Sequence, residues 1–133
     1  MITFTVPAVP VAQPRPKATL RGGHAAVYEA KAGHAIHSFK ATARMAAAAA
    51  YTGAPLKGPL RAELSFVFAS KKKERTWKAT RPDADNLAKG LLDSLNGTLY
   101  VDDNQICELT ITKVHAAHGE QPHVVVEIEE LYA

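Results

Sequence analysis

The stretch that most limits how this chain can fold runs from residue 60 to residue 68, where Leu60, Ala62, Leu64, Phe66 and Phe68 alternate with Arg61, Glu63 and Ser65. A period of two puts an apolar row and a polar row on opposite sides of an extended backbone, so this segment is a strand with one face to be covered. The cover is encoded on both sides of it. Upstream, Ile36, Phe39, Ala43, Ala46, Ala47 and Ala50 recur at three- and four-residue steps, which predicts one helix over residues 30–51, stopped by Gly53 and Pro55. Downstream, DADNLAKGLLDSLNG carries the stripe Leu87, Leu91, Leu92 and Leu95 and closes on Asn96 and Gly97, which predicts a second helix.

Both ends of the chain are strand-like. Ile2, Phe4 and Val6 alternate with Thr3 and Thr5 before Pro7; residues 99–101 predict a short strand, and Asp102-Asp103-Asn104 is turn chemistry. Residues 106–114 and 124–131 predict two closing strands joined by residues 115–122. Between the first strand and the first helix lie four prolines and two adjacent glycines without a sustained period, an irregular arm with at most a short strand near residues 25–28. The order predicts an α+β fold, a mixed or antiparallel sheet with two main α-helices. A doubly wound parallel sheet is disfavoured, because the last strands have no helical crossover between them.

With 133 residues and 47% hydrophobic composition, one domain spanning residues 1–133 is expected. No apolar run reaches about 18 residues, and the opening MITFTVPAVP has neither a basic n-region nor a continuous apolar stretch. A soluble, cytoplasmic protein with no membrane partner is therefore expected. Cys107 is the single cysteine, which excludes an internal disulfide framework; it is expected to be a small buried side chain. His34 and His37, like His115, His118 and His123, lack acidic or thiolate partners at zinc-binding spacing and read as solvated or phosphate-contacting.

The net charge of +3 says less than its distribution. Lys71, Lys72, Lys73, Arg75, Lys78 and Arg81 are opposed between residues 71 and 81 by Glu74 alone, directly upstream of the most acidic motif. Such a loop is either a solvated hairpin tip or a DNA-binding patch, and its position favours the patch, with Arg15 and Lys17 of the arm added to it. Trp77, within the loop, either stacks on an exposed base or anchors the loop to the body.

On the second helix, a rotation of about 100° per residue aligns Asp85, Lys89 and Asp93 opposite Leu87, Leu91 and Leu95. Asp83, just after Pro82, is placed to be an N-cap or a metal ligand, and both roles stay open. Taken alone, these are ordinary first-turn acids, with Asp85 and Lys89 an ordinary i,i+4 pair. Asp102 and Asp103 shift the balance, because a helix ending at Gly97 and a short return can bring them back beside the helix start. Two like charges about 4 Å apart repel by roughly 4 kcal/mol at an effective dielectric of about 20, so converging carboxylates call for a cation. Oxygen-only ligands suit Mg²⁺, with Mn²⁺ substituting, better than zinc. In phosphodiester hydrolysis such an ion activates water and stabilises the attacking and leaving oxygens, while a lysine takes a phosphate oxygen. The expected catalytic residues are Asp83, Asp85, Lys89 and Asp103, and the expected metal ligands Asp83, Asp85, Asp102 and Asp103.

The run RPDADNLAKGLLDSLNG followed by VDDNQI resembles the signature of the RusA family of Holliday-junction resolvases, and the opening strand, proline-rich arm and closing strands fit it too. The resemblance implies a homodimeric, Mg²⁺-dependent endonuclease that nicks four-way or branched DNA in pairs during recombination and repair. It places the essential acids on Asp83, Asp85 and Asp103 and the essential lysine on Lys89, gives Asp102 less weight, puts Asn86 in support, and leaves Asp93 without a clear role. The basic, proline-rich arm resembles phage-type members, which implies a prophage origin. Two other readings stand beside it: a branched-DNA binding module that no longer cuts, and a metal-dependent phosphodiesterase acting on another nucleic-acid substrate.

Overall fold

The computed structural model describes residues 1–14, 17–21, 24–28 and 33–132. Its strands are β1 (Ile2–Val6), β2 (Lys17–Arg21), β3 (His24–Tyr28), β4 (Leu60–Phe68), β5 (Thr76–Trp77), β6 (Ile106–His115) and β7 (His123–Glu130); its helices are α1 (Ala35–Ala50) and α2 (Ala84–Ser94), with a 3₁₀ turn at Asp103–Gln105. The fold is α+β. A mixed five-stranded sheet runs β1-β7-β4-β6-β5, and β2 and β3 form a separate two-stranded ribbon.

β4 holds the centre of the sheet, parallel to β6 and antiparallel to β7. Its alternation is realised as read: Leu60, Ala62, Leu64 and Phe66 are buried, while Arg61 and Glu63 face water. The pattern breaks at Val67, which is fully buried on the opposite face, where it pairs with Val114 and His123. The two closing strands are not hydrogen-bonded to each other. β4, with Leu60, Ala62, Leu64, Phe66 and Val67 all fully buried, lies between them, and the seven-residue link at 116–122 is long enough to step across its end.

The helices cover the apolar face of β4. Ile36, Phe39, Ala43 and Ala47 of α1 meet Leu87, Leu91 and Leu92 of α2 in one core with Phe4, Val6, Val124, Val126 and Ile128. Close approach of α1, α2 and the arm depends on Gly90, where a Cβ would come within 3.1 Å of Ile36 Cδ1 and 3.3 Å of the Gln13 nitrogen. Gly97, at φ +79°, turns the chain after α2 in a conformation that glycine adopts without strain. Among the described residues, no helix is long and apolar enough to cross a membrane.

Four expectations need correction. α1 begins at Ala35 rather than residue 30, because His34 caps it by accepting from the Ile36 amide at 3.0 Å; residues 29–32 lie outside the described set. The arm is not wholly irregular, since β2 and β3 pair from Lys17–Tyr28 to Arg21–His24. Residues 99–101 form no strand. Tyr100 makes only isolated bridges, to Leu56 and to Asn96, and Pro55 beside Leu56 has no amide hydrogen with which to extend the first. Cys107 is exposed because the β4–β6 register skips it, Leu60 pairing with Ile106 and Arg61 with Glu108.

Candidate active site

The polar row of α2 forms as its spacing requires. Asp85, Lys89 and Asp93 are exposed while Leu87, Leu91 and Leu95 are buried, and successive members of the row lie about 6 Å apart along the axis. Asp83 occupies the N-cap position with extended backbone, and its carboxylate makes no capping hydrogen bond. Asp93 has a structural partner: Lys40 of α1 reaches its carboxylate at 2.9 Å and ties the two helices together.

The acidic turn is held beside this row by a capping box. The Asp102 carboxylate accepts from the Asn104 amide at 3.0 Å, and the Gln105 side chain accepts from the Asp102 amide at 2.9 Å. The Gln105 amide group then donates to the carbonyls of Leu56 and Gly58, at 2.8 and 3.0 Å, which fixes the turn to the body. Asp103 is thereby presented half-buried. Burial, then the charges of Asp102 and Asp93, push its carboxyl above the usual range, and Lys89 partly opposes them. Tyr100 lies fully buried beneath, its hydroxyl donating to the Leu92 carbonyl at 2.5 Å; burial and the nearby Asp103, Asp93 and Asp102 keep that hydroxyl protonated.

Lys89, Asp93, Asp102 and Asp103 therefore share one electrostatic neighbourhood. Asp83 stands toward the other end of the helix, lining a cavity of about 430 Å³ with Arg81, Pro82 and Asn86. Among the described residues, no three acidic, histidine or cysteine groups converge as a ready cage for a metal ion. The donor set nevertheless fits a hard cation. It is all oxygen, Asp103 is half-buried with the carboxylates of Asp102 and Asp93 nearby and Lys89 opposing them, and Mg²⁺ is commonly held by one or two carboxylates together with substrate phosphate.

The basic loop is exposed at Lys71, Lys72, Lys73, Arg75 and Arg81, but its backbone is tied down. Arg75 forms a two-pronged ion pair with Glu120, one arm at 3.0 Å, and this holds the Glu120 carboxyl down to about 2. Lys78 lies 4.9 Å from the centre of the Phe68 ring and donates to Thr80 Oγ1 at 3.1 Å. Lys72 also contacts the Thr76 hydroxyl, at 3.4 Å. Trp77, paired by its backbone with Val114, is 76% exposed, so its indole is not the anchor of the loop. Arg15 lies outside the described residues, and of Lys17 only the backbone in β2 is described.

Four residues of this region carry no motif that singles them out. Tyr100 and Lys40 brace the acids from below and from α1. Gln13 sits against α2, its amide donating to the Asn86 carbonyl at 3.0 Å and its side-chain oxygen buried with no hydrogen-bond partner. Lys113 of β6 donates to the carbonyls of Thr80 and Pro82. For Gln105 the sequence does hold an unused signal, the Asp-x-x-Gln spacing of a capping box.

Comparison with known proteins gives a consistent outcome. The model of the family described as Endodeoxyribonuclease RusA matches residues 7–129. The chain is 33% identical over 146 aligned positions to the uncharacterized protein YqaN of Bacillus subtilis (strain 168), covering 99% of this chain and 98% of that one. It is also 40% identical over 76 positions to the crossover junction endodeoxyribonuclease rusA of Lactococcus phage r1t, a match covering 55% of this chain and 56% of the phage protein.

Proposed function

Because the chain belongs to the RusA family of endodeoxyribonucleases, we propose that it resolves Holliday junctions by paired, Mg²⁺-dependent hydrolysis of phosphodiester bonds, as one RusA-like domain acting in a cytoplasmic homodimer. The observation that carries this reading is the crowding of Lys89, Asp93 and Asp102 around the half-buried Asp103, at a helix that an exposed basic loop leads into. The phage resolvase relative supports a branched-DNA substrate, a phage-type origin and a place in recombination and repair.

Asp83, Asp85 and Asp103 would hold the cation, with Asp102 shaping the turn that presents Asp103. Mg²⁺, or Mn²⁺ in its place, would stabilise charge developing on the phosphate oxygens. Lys89 takes a non-bridging phosphate oxygen and offsets the acids, so that a polyanion can enter. Lys71, Lys72, Lys73, Lys78 and Arg81 hold the flanking strand by contacts that carry no sequence information. Arg75 joins them only by exchanging Glu120 for phosphate. Arg15 and Lys17 reach the same DNA from the arm. Trp77 stacks on a base opened at the branch point, a use of its exposure that anchoring does not explain. Losing the acids would help a protein that only binds phosphate, so their retention beside the basic loop argues for cutting over binding alone.

The test is incubation of purified protein with a synthetic four-way junction, a matched linear duplex and a single strand, each with Mg²⁺ and with chelator. Symmetric nicks confined to the junction and abolished by chelator are expected. Equal cutting of all three substrates would leave a general nuclease in place of a resolvase.

A further inference from the structure

Lys113 lies near the C-terminal end of β6, yet its side chain serves a different part of the chain. Its ammonium donates to the Thr80 carbonyl at 2.9 Å and to the Pro82 carbonyl at 2.8 Å, 33 and 31 residues away in sequence. Its own carbonyl accepts from the Lys78 amide at 3.1 Å. One residue thus grips the segment 78–82 at three points, and Pro82 immediately precedes Asp83. These contacts span the step from the basic loop to the acidic helix.

Two features make this more than a generic surface contact. Two carbonyls converging on one point need a donor with several N–H groups and no lone pair, which a lysine or arginine supplies and a methionine does not. The location is also unfavourable for helix stability alone. A cation beside the first turn of α2 sits at the positive end of the helix dipole, where an anion is preferred. It is tolerable there because Asp83 and Asp85 stand at the same end.

We infer that Lys113 is a positioning residue for cleavage: by clamping the Thr80 and Pro82 carbonyls it sets where Asp83 presents its carboxylate to the cation. This rests on the reading of Asp83 as a metal ligand in a junction nuclease. Lys113 itself touches neither substrate nor cation in this role, so its loss acts through Asp83. The consequence is a weaker hold on the cation and slower cutting, with DNA affinity retained, because the exposed lysines that meet phosphate are untouched.

The test compares wild type, Lys113→Met and Lys113→Arg in two assays. In the first, Mn²⁺ is titrated into the protein without DNA while paramagnetic broadening of the Asp83 amide signal is followed. In the second, single-turnover cleavage and equilibrium binding of a four-way junction are measured on the same preparations. For Lys113→Met, a roughly tenfold higher Mn²⁺ requirement, a cleavage rate lower by about tenfold or more and a junction Kd within about twofold of wild type are expected. Lys113→Arg should recover most of both losses. Unchanged Mn²⁺ broadening in a folded Lys113→Met protein overturns the inference, as does equal loss of cleavage and DNA binding. If wild type binds Mn²⁺ at Asp83 and the methionine variant does not, yet neither cuts junctions, the positioning role stands and the resolvase reading falls. If Mn²⁺ leaves Asp83 of wild type unbroadened, the inference is overturned whatever the substrate.

Discussion

In the acidic corner, charges are pressed against the apolar body: Asp103 is half-buried, Tyr100 lies beneath it, and Asp93 and Asp102 are engaged by Lys40 and by the capping box. In the basic loop, by contrast, the backbone is tied and the charges of Lys71, Lys73 and Arg81 stand in water. Burial and crowding make the acids electrostatically costly, so their arrangement is one that a cation would relieve. Exposure makes the bases weak partners for other side chains and good ones for a polyanion whose counterions they displace. Under the proposed function, chemistry falls to one region and capture to the other, with the segment 78–82 leading from the basic loop into α2.

Outside the carboxylates, the largest effect expected from breaking this division is at Lys89, the cation inside the acidic corner. Lys89→Met should lower single-turnover cleavage by roughly a hundredfold or more, the usual size for a lost charge-stabilising group. A parallel collapse of junction affinity would mean that it belongs with the basic loop. Next in size is Trp77. It is the only tryptophan in the chain, so its emission reports on this site alone. Junction DNA should quench it while matched duplex does not, and Trp77→Ala should weaken junction preference by about tenfold, with Trp77→Phe retaining most of it. Emission that responds to protein dilution but not to DNA would place the indole in a protein contact instead.

The loop lysines should show smaller, additive effects. Replacing Lys72 or Lys73 by Ala should flatten the slope of log Kd against log salt by about one unit each, without changing the cleavage rate of bound junction. A slope that stays the same would remove them from the DNA path. The smallest effect concerns the tie under the loop. Arg75 holds the Glu120 carboxyl at about 2, below its ordinary value near 4.5, so the tie is intact above pH 4.5 and is lost as pH falls through about 2. An NMR titration should place the Glu120 midpoint there, and Arg75→Ala should return it toward 4.5.

How legible these regions were in the sequence follows the range of their interactions. β4 and the polar row of α2 are local patterns with periods of two and about four residues, and each formed where its spacing put it; the turn chemistry of residues 102–104 is likewise local. The clamp from Lys113 to Thr80 and Pro82, the Arg75–Glu120 pair and the Lys40–Asp93 bridge join residues more than 30 positions apart. Their partners follow from sheet register and helix packing, which no local pattern specifies. β5 was missed because two residues carry no period; its pairing depends on β6 being free on that side. Cys107 misled for a related reason, since a skipped position in a parallel pair leaves no mark in composition.

The division of labour between the two regions is tested most directly by Asp85→Asn, with junction binding and junction cleavage measured on one preparation in Mg²⁺. The substitution removes a charge from the acidic row and leaves every loop cation in place, so cleavage should vanish while the junction Kd stays the same or tightens. Cleavage and binding lost together, with helical content lost as well, would make Asp85 a structural residue of α2 and contradict the division.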